Sequence, residues 1–255
     1  MSPVAEVPEL SLAEAREILI KLGALADEIV LVGGQALAFW ADYFGDRVQL
    51  HGAINSKDID FGGTREAVVQ AAVCLGGTYL LPEPFAITPN TGIVEFVASG
   101  GQRRRIDFLG DVFGVELGEV FEMALTVEMP GTGASFRVMH PVHCLEARIS
   151  NVGGLPGYRG PHGLAQAHAA IGCAREYLRL RLAEGAVRTV LDLNERIYRF
   201  AYSKLNARTT FIDHGIDTFE AVLVSDDLPE AFVRRRYPQM QANLARRRAS
   251  WRGPP

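Results

Sequence analysis

The chain has 255 residues, 48% of them hydrophobic, and a formal net charge of −4 at pH 7, enough for one large domain or two small ones with a real core. Three scattered cysteines (Cys74, Cys144, Cys173) show no pairing or metal spacing, which argues against a disulfide scaffold or a zinc site and for reduced thiols in a cytoplasmic protein. No apolar stretch reaches membrane-spanning length, and Met1 to Leu10 lacks the basic start and apolar run of a signal peptide.

Ser11 with Glu14 makes a capping box for a helix over 11–25. Ile29-Val30-Leu31-Val32 then reads as a short apolar strand, followed by Gly33-Gly34 and an amphipathic helix opening Gln35-Ala36-Leu37-Ala38-Phe39-Trp40. Glycines at a strand-to-helix turn let the backbone approach a ligand, and helix-start N–H groups favour phosphate there. An ordinary tight turn is the other reading. The third glycine of a dinucleotide fingerprint is missing.

The next strand carries Ser56-Lys57-Asp58-Ile59-Asp60-Phe61-Gly62. Side chains two apart on a strand share a face, so Asp58 and Asp60 project together with Ile59 and Phe61 buried behind them. Thr64 can cap a helix to Leu75, which Gly76-Gly77 end. Strands follow near 78–81, 93–98, 103–109 and 135–139, forming a mixed, partly covered sheet backed by the early helices. In Arg103-Arg104-Arg105-Ile106-Asp107-Phe108-Leu109-Gly110 a single acid is embedded in an apolar strand, which is costly unless it is paired or metal-bound. Arg105 shares the face of Asp107, placed either to meet a phosphate or to pair with an acid.

The chain divides near residue 140, into domains over 1–139 and 140–255. After His140-Pro141 the composition turns helical, and Pro141 suits a helix first turn. Helices are expected over 141–151, 163–183, 187–204 and 228–250, with Gly153-Gly154 and Pro156 to Pro161 in a loop between the first two. His140 and His143 lie three apart without further ligand partners nearby, which favours capping or packing. From Pro229 to Pro255 seven arginines, among them Arg234, Arg235, Arg236, Arg246, Arg247 and Arg248, face one acid, Glu230. That basic run can track an RNA backbone through phosphate contacts or form a solvated helix. Trp251-Arg252-Gly253-Pro254-Pro255 reads as a disordered tail.

Two carboxylates held side by side repel unless something positive sits between them. A divalent cation resolves this, and Mg²⁺ prefers carboxylate and substrate-phosphate oxygen. The other reading is a strand end where both acids face water. Taken with the Gly-Gly turn and the later lone Asp107, the order resembles the nucleotidyltransferase superfamily related to DNA polymerase β, over roughly residues 28–110. Gly-Gly-Gln replaces the usual Gly-Ser, and the stretch between Gly34 and Asp58 is longer than in compact members. Both features resemble the AbiEii-type toxin nucleotidyltransferases of abortive-infection and toxin–antitoxin systems, through Val32-Gly33-Gly34-Gln35-Ala36-Leu37 and Ser56 to Phe61.

The resemblance implies an α+β fold, a polymerase β-like mixed sheet with helices followed by a helical C-terminal domain. It implies that Asp58, Asp60 and Asp107 hold two Mg²⁺ ions, with Asp107 also assisting deprotonation of an attacking hydroxyl. Gly33, Gly34, Gln35 and Lys57 would meet a nucleoside triphosphate (NTP), with Arg148 standing where the family has a triphosphate-binding lysine. Asp192 is the nearest candidate for a further family acid. The implied acceptor is RNA, such as a tRNA end, or a protein side chain, and the implied partner an antitoxin. Two alternatives remain open: an inactive nucleotide- or RNA-binding member of the same fold, and a small-molecule (antibiotic) nucleotidyltransferase.

Overall fold

A computed structural model describes residues 12–52, 54, 59–129 and 131–251. Ser11, Lys57, Asp58 and the tail over 252–255 lie outside the described residues, and with them half of the expected capping box and half of the carboxylate pair. The protein is α+β and divides into two compact units. The first comprises Met1–Tyr43 and Ala53–Ala147, the second Phe44–Gly52 and Arg148–Pro255.

The first unit is built on a mixed sheet of seven strands. In chain order it runs α1 (Leu12–Lys21), β1 (Val30–Val32), α2 (Gly33–Phe44), β2 (Ile59–Gly62), α3 (Arg65–Leu75), β3 (Thr78–Leu80), β4 (Asn90–Val97), β5 (Arg103–Leu109), α4 (Leu117–Met123), β6 (Leu125–Glu128) and β7 (Ser135–Val138). The spatial order is β3-β4-β5-β2-β1-β7-β6. β2 runs parallel to β5 and β1 parallel to β7, while the remaining neighbours are antiparallel.

β1 is Val-Leu-Val, buried at all three positions, as a strand covered on both faces requires. α3 starts and stops where its caps dictate. The Thr64 hydroxyl accepts from the Ala67 N–H at 3.3 Å, and Gly76 closes the helix at φ 64°. Along β4 and β5 burial alternates strictly, with Val94, Phe96, Ile106 and Phe108 inward and Glu95, Val97, Arg103 and Arg105 outward. Phe61 stacks on Phe108 with ring centroids 5.8 Å apart. Arg104 breaks the apolar pattern on this covered face. Its guanidinium grips both carboxylate oxygens of Glu14 on α1 at 2.8–2.9 Å, which pins α1 to β5. α4 and β6 were not expected from the sequence. β6 is a short edge strand whose residues are only half-covered, so its apolar alternation is faint.

The second unit is helical, with α5 (Pro141–Gly154) crossing the boundary, then α6 (Pro161–Ala183), α7 (Val187–Ser203), α8 (Leu205–His214), a π-helical turn at Phe232–Arg236 and α9 (Tyr237–Trp251). α5 runs through the glycines expected to break it. A Cβ on Gly153 would lie 2.8 Å from the carbonyl carbon and Cα of Asn206 on α8, so the glycine serves close helix approach rather than a turn. The helix expected over 187–204 ends where α7 does, and α8, which was not expected, follows after the single extended residue Lys204. The expected helix over 228–250 opens as the π turn and becomes regular only at Tyr237. The segment Phe44–Gly52, part of the long stretch between Gly34 and Asp58, packs on α6: a Cβ on Gly172 would lie 3.0 Å from Val48. Among the described residues no helix is long and apolar enough to cross a membrane.

Candidate functional site

The site grows out of strand register. Asp60 on β2 is the register partner of Asp107 on β5, of Val32 on β1 across the other edge, and Asp107 in turn pairs with Ile93 on β4. Register partners in a sheet share a face, so both carboxylates emerge side by side from neighbouring parallel strands about 4.8 Å apart. Ile59, Phe61, Ile106 and Phe108 take the opposite, buried face. The separation of apolar and acidic faces expected from the sequence is therefore present for Asp60 and Asp107.

Gly33 lies against this pair. It adopts φ 68°, a left-handed conformation that side chains disfavour. A Cβ there would also overlap the Asp60 carboxylate and lie 3.0 Å from its Cβ and Cγ. The glycine thus leaves room for Asp60, a role that no sequence pattern announces. Gly34 is buried in the first turn of α2, and Gln35 is half-buried. Gln35 lines a mainly apolar cavity of about 430 Å³ with Leu31, Phe39, Ile59 and Phe136.

Asp107 is not bare. Arg105, two positions earlier on the same face, donates from Nε at 3.0 Å and Nη2 at 2.7 Å to one Asp107 oxygen. Of its two expected placements, Arg105 takes the acid partner. Its guanidinium is half exposed, against 17% for the aspartate side chain, so the pair opens to solvent on the arginine side.

Two half-buried carboxylates on one face fit a hard divalent cation, which takes oxygen ligands. Among the described residues no group of three His, Cys, Asp or Glu side chains gathers.

The other expected residues fall elsewhere. Arg148 belongs to the second unit and is 8% exposed. It donates to the Gln166 side-chain oxygen at 3.0 Å, and among the described residues its Nε has no hydrogen-bond partner. Asp192 is exposed and tied to Arg188 at 2.9 Å, a surface pair on one helix face. His140 caps, its Nδ1 accepting from the Val142 N–H at 3.1 Å. The arginine run splits. Arg236 is bidentate on Glu195 at 2.7–2.8 Å, Arg248 is held by Asp217, and Arg234 pairs with Glu230 at 3.1 Å. Arg235, Arg246 and Arg247 are exposed. Ile93, the apolar neighbour of Asp107, went unmarked because only cross-strand register places it there.

No protein-family model matches the chain, and no curated protein matches it. Among solved structures it is similar to JHP933 from Helicobacter pylori, at 13% identity over 93% of this chain and 90% of that one, with a TM-score of 0.39. At that level the likeness assigns neither a fold family nor an activity.

Proposed function

We propose that the protein is a Mg²⁺-dependent nucleotidyltransferase of the polymerase β-like kind, moving a nucleoside monophosphate from an NTP to a hydroxyl acceptor. One observation carries the reading: Asp60 and Asp107 stand in register on adjacent strands, with Gly33 left bare against Asp60. Asp60 and Asp107, joined by Asp58 of the same Asp-x-Asp, would hold the metal. When bound, Mg²⁺ neutralises phosphate charge and orients the reacting oxygens. In this reading Asp107 would take the acceptor's proton as the acceptor oxygen attacks the α-phosphorus. The bond to the β-phosphate oxygen breaks and pyrophosphate leaves with the electron pair. The α2 start after Gly33 suits triphosphate, because helix N-termini favour anions. The toxin branch, an RNA or protein acceptor and an antitoxin partner rest on the sequence resemblance alone.

A second reading is a binding module of the same fold without transfer activity. The Arg105–Asp107 pair favours it, since a guanidinium already neutralises one of the acids. Labelled NTPs with Mg²⁺ and total RNA decide between the two. The transferase labels an acceptor, and Asp60→Asn or Asp107→Asn abolishes the label. A binding module holds Mg-NTP without labelling anything. Equal Mg-NTP binding by wild type and both variants overturns the metal-site reading itself.

A further inference from the structure

We propose that the groove between α7 and α9 is a docking surface for single-stranded nucleic acid, held through its phosphodiester backbone. The two helices run alongside each other in the same direction, because Glu195 and Tyr198 of α7 meet Arg236 while Tyr202 further on meets Arg247. At the far end they leave a shallow groove of about 380 Å³ lined by Tyr202, Asn243, Arg246, Arg247 and Ser250. No acid lines it. α9 itself contains none over Tyr237–Trp251, and Glu230, the one acid just before it, pairs with Arg234.

The structure sorts the basic run by what each guanidinium already does. Arg236 and Arg248 are spent inside the unit on Glu195 and Asp217. Arg246 and Arg247 are exposed; among the described residues Arg246 bonds the neutral Asn243 side chain at 2.6 Å, and Arg247 stands over the Tyr202 ring at 5.6 Å. Arg199, also exposed, lies three positions before Tyr202 on α7. A chain of net charge −4 that gathers acid-free arginines at one groove presents a local anion site. Planar guanidinium groups beside an aromatic ring and amide and hydroxyl groups suit a strand that offers regularly spaced phosphates and stackable bases. An acidic peptide would need charge alone.

The binding stands apart from catalysis. Only as the acceptor class of the proposed transfer does the strand rest on that reading. The test uses the full chain and short labelled RNA and DNA strands of mixed sequence, titrated at several salt concentrations. Wild type binds, and Arg246→Glu with Arg247→Glu weakens binding at least about tenfold. The plot of log affinity against log salt loses about 1.4 from its slope, about 0.7 for each lost phosphate contact. Arg181→Glu with Arg188→Glu, an equal charge change at arginines paired on the surface of the same unit, leaves binding within about twofold. Asp60→Asn binds as wild type does, so failed transfer and failed docking are told apart. The proposal is overturned if neither strand binds, if the control pair weakens binding equally, or if polyglutamate displaces the strand at equal charge concentration.

Discussion

Gly33 and Asp60 compete for one space: a Cβ on Gly33 would lie 3.0 Å from both Cβ and Cγ of Asp60 and overlap its carboxylate. The turn and the acid, 27 positions apart in the chain, are one device. β1 runs antiparallel to β2 with Val32 opposite Asp60, so the first residue after β1 necessarily meets that side chain.

Gly33→Ala should therefore fail twice. The φ of 68° costs an alanine about 1–2 kcal/mol, and the methyl group displaces the Asp60 carboxylate. The unfolding midpoint should fall, and Mg²⁺ affinity measured calorimetrically should drop about as far as in Asp60→Asn. Unchanged Mg²⁺ binding in a folded Gly33→Ala protein would detach the turn from the acids.

Arg105→Ala separates two roles of one charge. The pair is half exposed on the arginine side, so its loss should change stability by less than about 1 kcal/mol. Removing a competing cation from Asp107 should raise Mg²⁺ affinity several-fold. If Mg²⁺ binding instead weakens, Arg105 positions Asp107 rather than blocking it.

Arg148 is a buried guanidinium whose described partner is a neutral amide. Burying a charge without a counter-charge opposes folding. Arg148→Met should keep or raise stability, by about 1 kcal/mol or more. If this guanidinium takes phosphate oxygen, inorganic triphosphate should raise the melting temperature of wild type and leave Arg148→Met unmoved. A large loss of stability in the variant would make the charge structural.

His168 on α6 titrates below the ordinary histidine range, first because burial disfavours its charged form and second because His51 lies beside it, with Glu220 opposing both; the two rings are 4.7 Å apart. A histidine depressed in the fold contributes stability that is fully present above its unfolded pKa of about 6.5. That stability is lost as pH falls below it, because the unfolded chain takes up a proton the folded chain resists. Denaturant midpoints should fall between about pH 7.5 and about pH 5.5, and His168→Gln should flatten the fall. An equal fall in the variant would place the sensitivity elsewhere.

Local signals were legible where one residue type has one physical use. The Thr64 cap and the Gly76 terminus bound α3 as expected, and the apolar alternation around Asp107 marks β5. Signals failed where a residue answers to a distant neighbour. Gly153 reads as a breaker and lies inside α5 because Asn206 presses against it. The contact of Glu14 with Arg104, 90 positions away, has no local signal at all.

By itself the sequence determined that two-residue periodicity puts Asp60 and Asp107 on strand faces opposite Ile59, Phe61, Ile106 and Phe108, since backbone pleating needs no tertiary contact. It also determined that the C-terminal segment is basic within an acidic chain. Only the tertiary structure decided that Asp60 and Asp107 stand side by side, because register depends on hydrogen bonding between strands 47 residues apart. It alone decided that Arg105 takes Asp107 and that Arg236 and Arg248 are committed to acids while Arg246 and Arg247 face solvent. A charge is written in the chain, but its partner is set by the packing that brings another charge within a few ångströms.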